Sequence, residues 1–294
     1  MKRLVKGLLL VILLSGITAC NHVPDEITVG LIPARDAAGM IEQFTPMKEY
    51  IEDELGITIQ LEVTDDYAEL IRKMDDRKVD IAWFGPFSYI AAEMELDLEP
   101  LVVQSRKDTG VYYHSLILTK ADTPHQSIES LNRTSFAFVE KGSTSGYVIP
   151  HAMFTSRDIE YEDYFSEIVY SQSHDGVLTD IINETVTAGA VGDITYNKWL
   201  SDGLIDEEEL LILWKSSEIP GSPFVAHAQL NEKVKQRFTE AMLEVHVKAP
   251  EALIHYNKAI EYYVEADKQM YNSIRNISTI LGDEYVENQF LRAQ

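Results

Sequence analysis

The chain has 294 residues, 45% of them hydrophobic, with 48 acidic against 25 basic side chains and a formal net charge of −23. That length gives one large domain or two lobes of ordinary size, and the hydrophobic content is that of a globular protein with a core. The charge excludes a nucleic-acid binder and broad adsorption to anionic lipid, and an anionic ligand would need local dipoles and donors strong enough to overcome a repulsive global field.

The first segment reads as a targeting signal. Lys2, Arg3 and Lys6 form a basic start, and the apolar run from Gly7 to Leu14 falls short of the roughly 20 residues a membrane span needs. Ile17-Thr18-Ala19-Cys20 then supplies an aliphatic residue, two small ones and a thiol, which predicts cleavage after residue 19 and lipidation of Cys20. The alternative is an uncleaved apolar helix with an incidental cysteine. Cys20 is the single cysteine, so no internal disulfide forms. Residues 20–26 read as a polar tether.

Beyond the tether, strand and helix alternate. Ile27 to Ile32 is β-branched and ends at Pro33, a strand. Apolar spacing near 3.6 over 38–54 predicts an amphipathic helix ending at Gly56. Strand 57–63 follows, then a helix from Tyr67 to Met74 with Asp65 or Asp66 as its cap. Val79 to Phe84 is a strand, and Pro86 opens a helix to Glu95. A second block repeats the pattern, with strands at 112–119, 135–139, 167–170, 188–191 and 210–215. Its helices lie at about 145–154, 175–183 and 194–200. Residues 220–223 form a turn, 224–227 a strand and 231–246 an amphipathic helix, and the tail from Pro250 is mostly helical. The pattern predicts an α/β protein of two lobes, each a mixed, mostly parallel sheet flanked by helices. Lobe one takes 27–119 and 221–294, and lobe two takes 120–220. The two chain crossings, near 118–121 and 219–223, make a hinge.

Ligands of open parallel sheets bind beyond the carboxyl ends of the strands. There, Ser143-Thr144-Ser145 lies between Gly142 and Gly146 at a predicted helix start, where free N–H groups and hydroxyls can cradle a tetrahedral oxyanion without any Arg or Lys. An ordinary helix cap is the alternative for any one of the three. His174 begins another helix and can donate to an anion, or simply cap. Asp193 can accept from a protonated oxyanion or an amine, or cap the next helix. Tyr67, Tyr89, Tyr112 and Tyr113 are candidate cleft walls, each with a core aromatic as the plain alternative. Trp83 and Phe84 read as packing.

Taken in order, these stretches resemble the phosphonate-binding protein family (PhnD-like) of ABC importers. The resemblance rests on Asp66-Tyr67, on Val79 to Tyr89, on Tyr113-His114-Ser115, on Gly142 to Tyr147, on His174, and on Trp214-Lys215-Ser216 with Ile219-Pro220-Gly221. It implies a type II periplasmic-binding-protein fold with the ligand in the interlobe cleft. It implies that Ser143, Thr144 and Ser145 hold phosphonate- or phosphate-type oxygens, that His174 and Tyr67 touch the oxyanion, and that Tyr113 and Asp193 fall near family positions. Thr185-Val186-Thr187-Ala188 lacks an acid the family usually carries there. The implied ligand is a phosphonate, phosphate or phosphite, and the implied partners are an ABC permease and ATPase, with the membrane reached through Cys20. No cofactor and no metal are implied.

The same residues leave two other functions open. Ser145, His174 and Asp193 could make an exported serine hydrolase, but a nucleophile elbow needs Gly-x-Ser-x-Gly and the centre of Gly142 to Gly146 is Thr144. No metal-ligand spacing occurs either. The same fold could instead report to a membrane sensor kinase.

Overall fold

The structure is a computed structural model that describes residues 23–107 and 109–291. The signal at 1–19 and Cys20 lie outside the described residues.

The first block runs β1 (Glu26–Leu31), α1 (Ala37–Leu55), β2 (Thr58–Val63), α2 (Tyr67–Asp75), β3 (Ile81–Trp83), α3 (Pro86–Glu95) and β4 (Leu98–Arg106). The chain crosses through β5 (Tyr112–Tyr113) into β6 (Ser115–Lys120), β7 (Ser135–Phe138), α4 (Ile149–Ser156), α5 (Tyr161–Tyr164), β8 (Glu167–Tyr170), α6 (His174–Ile182), β9 (Ala188–Gly192), α7 (Asp193–Ser201) and β10 (Leu210–Lys215). It returns through β11 (Ile219–Pro220) to β12 (Pro223–His227), α8 (Glu232–Lys248), α9 (Pro250–Asn257), β13 (Ile260–Glu265), α10 (Asn272–Leu281) and α11 (Asp283–Val286).

Two mixed sheets result, one per lobe, with strand orders β13-β4-β12-β3-β1-β2 and β10-β6-β9-β7-β8. The parallel pairings are those of the βαβ units: β1 with β2 and β3, and β7 with β8 and β9. The others are antiparallel, including β12 on β3 and β4, because a strand returning from the other lobe enters its sheet from the opposite end. The strand expected over 112–119 breaks at His114. Only β5 lies in the crossing, while β6 pairs with β9 and β10 in the second sheet. The first crossing therefore sits at 112–113 rather than 118–121. The two crossings pair with each other, Ile219 opposite Tyr113 and Pro220 opposite Tyr112. β4 and β13 were not anticipated. Pro100 interrupts the β4 pattern, and the tail that reads as helix contains an edge strand paired to β4.

Local chemistry explains the element ends that shape the cleft. Asp36 accepts from the Gly39 N–H at 2.8 Å and starts α1, and Gly56, at φ 69°, ends it with its N–H on the Glu52 carbonyl. Asp66 caps α2, and Pro86 occupies the first turn of α3, where its missing N–H costs nothing. Asp80 is partly buried and accepts from the Thr28 N–H at 2.8 Å, tying β3 to β1. On one face of the first sheet α1, α8 and α9 bury Phe44, Met47, Ile51, Phe238 and Met242. The core on its other face, with Tyr67, Phe84 and Phe87, continues into Phe136, Phe138 and Phe154 of the second lobe. The lobes thus meet through packed apolar side chains, each worth about 1.5–3 kcal/mol when fully buried.

Candidate functional site

A small cavity of about 60 Å³ opens between the lobes. The first lobe lines it with Ala34, Arg35, Tyr67, Trp83 and Gly85, and the second with Ser143, Thr144, Ser145, His174 and Gly192. Five helical N-termini converge there. Tyr67 is the first residue of α2, Gly85 caps α3, Ser143 caps the turn that leads into α4, His174 opens α6 and Gly192 precedes α7. The first N–H groups of each end have no partner within their own helix, and each end carries about half a positive charge. No Asp or Glu lines the cavity, whereas Arg35 and Lys198 do.

The predicted serine-threonine cradle forms, but its three members differ. Thr144 to Val148 is a wide turn in which the Tyr147 and Val148 N–H groups both reach the Ser143 carbonyl at 3.0 Å. Such π-type turns often mark functional positions. Ser143 Oγ accepts from the Gly146 N–H at 3.1 Å, so it is a cap and a cavity wall at once. Thr144 Oγ1 accepts from the Phe87 N–H of α3 at 2.8 Å, across the cleft. The hydroxyl keeps its proton, and it and the Ser145 hydroxyl both lie within reach of the Tyr113 phenol. Ser145 lines the cavity beside Gly192, and its carbonyl is held by the Ser115 hydroxyl at 2.6 Å.

His174 has its tautomer set by the backbone. Its Nδ1 accepts from the Gly192 N–H at 3.1 Å, which leaves Nε2 as the N–H donor of the neutral ring. Burial, reinforced by the charge of Arg35, pushes its pKa down to about 4, so the ring is neutral near pH 7. The His174 N–H donates to the Ala34 carbonyl at 3.2 Å, a second bond between lobes. Burial holds the Tyr67 and Tyr113 phenols well above their ordinary pKa, so both remain donors. Tyr113 is the member of its pair that turns inward, at 5% exposed against 37% for Tyr112.

Two expected site residues lie elsewhere. Tyr89 is buried in the first lobe, its hydroxyl donating to Glu93 Oε1 at 2.9 Å and its ring edge-on to Tyr271 at 5.0 Å. Asp193 does not line the cavity. It is buried in an adjoining recess with Arg106, and its own N–H donates to the His114 carbonyl at 2.9 Å. The hydrolase arrangement also fails, because His174 Nδ1, which a triad's acid would hold, is taken by the Gly192 N–H. Among the described residues no group of three His, Cys, Asp or Glu is placed to hold a metal ion.

Sequence reasoning missed Arg35, Gln104, Lys198, Ser222, Tyr256 and Asn257 as lining residues, and assigned Trp83 to packing alone. Arg35 was findable, since it follows β1 at the same carboxyl-end position that singled out the other loops. The remainder come from β4, α7, α9 and the turn before β12, whose approach to the cleft is a matter of tertiary packing.

The model of a family described as "ABC transporter, phosphonate, periplasmic substrate-binding protein" matches residues 29–271. The phosphate-import protein PhnD of Mycolicibacterium smegmatis is 27% identical over 227 residues, covering 74% of this chain and 71% of that protein. The binding-protein component of an ABC phosphonate transporter from Pseudomonas aeruginosa superposes with a TM-score of 0.80 at 20% identity, covering 92% of this chain and 90% of that one. PhnD1 of Prochlorococcus marinus, solved with methylphosphonate, superposes with a TM-score of 0.78 at 19% identity over 88% of this chain and 98% of that one.

Proposed function

From the premise that this chain belongs to the phosphonate periplasmic substrate-binding protein family of ABC transporters, a family of binders and not enzymes, we propose that its interlobe cavity holds a small phosphorus oxyanion: phosphate, phosphite or a phosphonate. The observation that carries this reading is the cavity wall itself. Five helical N-termini, several hydroxyls and Arg35 face a space with no carboxylate in its lining, inside a protein of net charge −23. Preorganised N–H and O–H donors are what a tetrahedral oxyanion needs. Size agrees as well. At roughly 10–15 Å³ of such volume per water, the cavity takes about four to six water-sized groups, enough for a PO₃ head.

Binding proceeds by closure. The ligand meets Ser143, Thr144, Ser145 and His174 on the second lobe. Tyr67 and Arg35 then arrive with the first lobe, and the paired crossings at 112–113 and 219–220 act as the hinge. The bonds from Phe87 N–H to Thr144 and from His174 N–H to Ala34 exist only when the lobes are together. A ligand touching both walls adds contacts available only in that state, which moves the equilibrium toward it. Closure presents the surface that a permease and its ATPase read. The chain is exported and tethered to the membrane through lipid on Cys20, a reading supported by the basic start, the short apolar run and the Ile17 to Cys20 sequence.

Calorimetric titration with phosphate, phosphite, methylphosphonate and sulfate tests the ligand class. At least one phosphorus oxyanion binds saturably, and Thr144→Val weakens it by about 1.5–3 kcal/mol, the range for a hydrogen bond to a charged group. Sulfate binding more tightly than every phosphorus ligand would overturn the phosphorus assignment, and unchanged affinity in the Thr144 variant would remove that hydroxyl from the site.

A further inference from the structure

The recess beside the oxyanion cavity holds a buried cation without a hydrogen-bond partner. Arg106 ends β4 and is 7% exposed, yet none of its three guanidinium nitrogens has a hydrogen-bond partner. Its backbone is fully used, exchanging N–H and C=O bonds with Gly110 at 2.8 and 2.9 Å, so the loop fixes the side chain without satisfying it. Thr109 Oγ1 and Tyr263 OH are also buried without partners. Asp193 lines the same recess and eases the Arg106 charge at a distance, but it makes no hydrogen bond to the guanidinium. A guanidinium cannot shed its proton in a protein, so its burial here stands open until an acceptor arrives.

The recess is about 540 Å³ and adjoins the oxyanion cavity, the two sharing Ile194, Lys198, Tyr256 and Asn257 as wall. Its cations outnumber its acids. Arg106, Lys107, Lys198 and Lys258 face it against Asp193 and Asp202, and Asp202 is already bonded by both Lys198 and Lys258. A planar fork of donors matches a carboxylate or phosphoryl group through paired hydrogen bonds.

We propose that Arg106 is the anchor of a second anion subsite, and that the preferred ligand is a phosphonate bearing another acidic group, carboxylate or phosphoryl, at its far end. The inference rests on the oxyanion reading of the smaller cavity and extends it. The PO₃ head occupies the donor cradle, the connecting carbons pass Ile194 and Tyr256, and the second acid closes on the guanidinium.

Calorimetry at fixed ionic strength on the purified protein tests this with methylphosphonate, 2-aminoethylphosphonate, phosphonoacetate, 3-phosphonopropionate and methylenediphosphonate. At least one acid-tailed ligand binds about tenfold or more tightly than methylphosphonate, as a charge-assisted bidentate contact requires. The carboxylate and diphosphonate arms tell which acid is read. Arg106→Met leaves methylphosphonate affinity intact, abolishes the preference, and raises the melting temperature of the ligand-free protein, because an unpaired buried charge is gone. Arg106→Lys, which keeps charge without the fork, weakens the preference and serves if the Met variant fails to fold. Equal affinity for methylphosphonate and all acid-tailed ligands overturns the subsite while leaving the oxyanion reading intact. So does a preference that survives in both variants, or tightest binding of the amine-tailed ligand, which would make Asp193 the reader. Absence of binding by any of the five overturns both.

Discussion

Glu140 stands directly behind the oxyanion cradle, and its charge state couples the site to pH. The Gly142, Tyr67 and Lys141 N–H groups favour its ionised form, but burial and the nearby Asp66 charge oppose them and burial wins, raising its pKa from 4.5 to about 7. One carboxylate oxygen, Oε2, is buried with no partner, as suits a carboxyl that keeps its proton. Because the folded pKa lies above the unfolded one, the native state binds the extra proton. The stabilisation is complete below about pH 4.5 and is lost as pH rises through about 7. Glu140→Gln removes that loss. Urea denaturation at several pH values should show the variant more stable than the parent by up to about 3 kcal/mol at pH 8, with the two converging near pH 4.5. Parallel profiles would mean the carboxyl is solvated and ionises normally. His174 behaves in the opposite sense. Its lowered pKa leaves it neutral at pH 8, so it does not share this slope.

At the scale of elements, two glycines of the cradle have neighbours that differ, and only one of them bears on closure. A Cβ on Gly142 would meet Tyr67 Cβ at 2.6 Å and Phe290 Cε1 at 2.8 Å. Tyr67 belongs to the opposite lobe and its Cβ is fixed by the first turn of α2, so relief comes only from parting the lobes. A Cβ on Gly146 would meet Val139 at 2.3 and 2.6 Å, within one lobe. Gly142→Ala should therefore weaken ligand binding by on the order of tenfold or more while ligand-free melting holds, since the closed state alone is penalised. Gly146→Ala should lower the melting temperature itself. Calorimetry and thermal melts on the pair separate the two effects, and a Gly142 variant that binds normally would show that the lobes need not approach this closely.

The same elements show what was readable beforehand. Strand-helix alternation with clear caps, such as Asp66 before Tyr67 and Pro86 at the start of α3, carried the βαβ units. The carboxyl-end rule carried Ser143, Thr144, Ser145 and His174 to the cavity. Tyr89 shares a helical first-turn setting with Tyr67, but Tyr271 and Glu93 draw it away, and Tyr271 arrives from a part of the chain no local pattern connects to α3. Asp193 is the first residue of α7 rather than its cap, which is Gly192, and it lines the recess with Arg106 of the unanticipated strand β4. β4 and β13 escaped notice because Pro100 disrupts one and the other is an edge strand beside helices. Periodicity reports which face is buried, not which distant element buries it.

For the molecule as a whole, the global and local fields have opposite sign, and salt tells them apart. The chain carries a net charge of −23, while the cavity and its neighbouring recess present Arg35, Lys107 and Lys198 around helical N-termini. An approaching anion at about 10 mM salt, where the Debye length is roughly 30 Å, senses the summed negative charge and is repelled. At about 150 mM the length falls to roughly 8 Å, and the ligand senses only the cationic rim and the donor cradle near its mouth. Stopped-flow association should therefore speed up severalfold between those salt concentrations, the reverse of ordinary electrostatic steering. The dissociation rate should change little, because contacts inside a closed cavity are screened weakly. Trp83 lines the cavity and supplies the fluorescence signal without a label. Association that slows with added salt would mean the rim governs encounter even at long range. The acidic surface would then have to lie on faces turned away from the cleft, where it sets solubility and leaves capture alone.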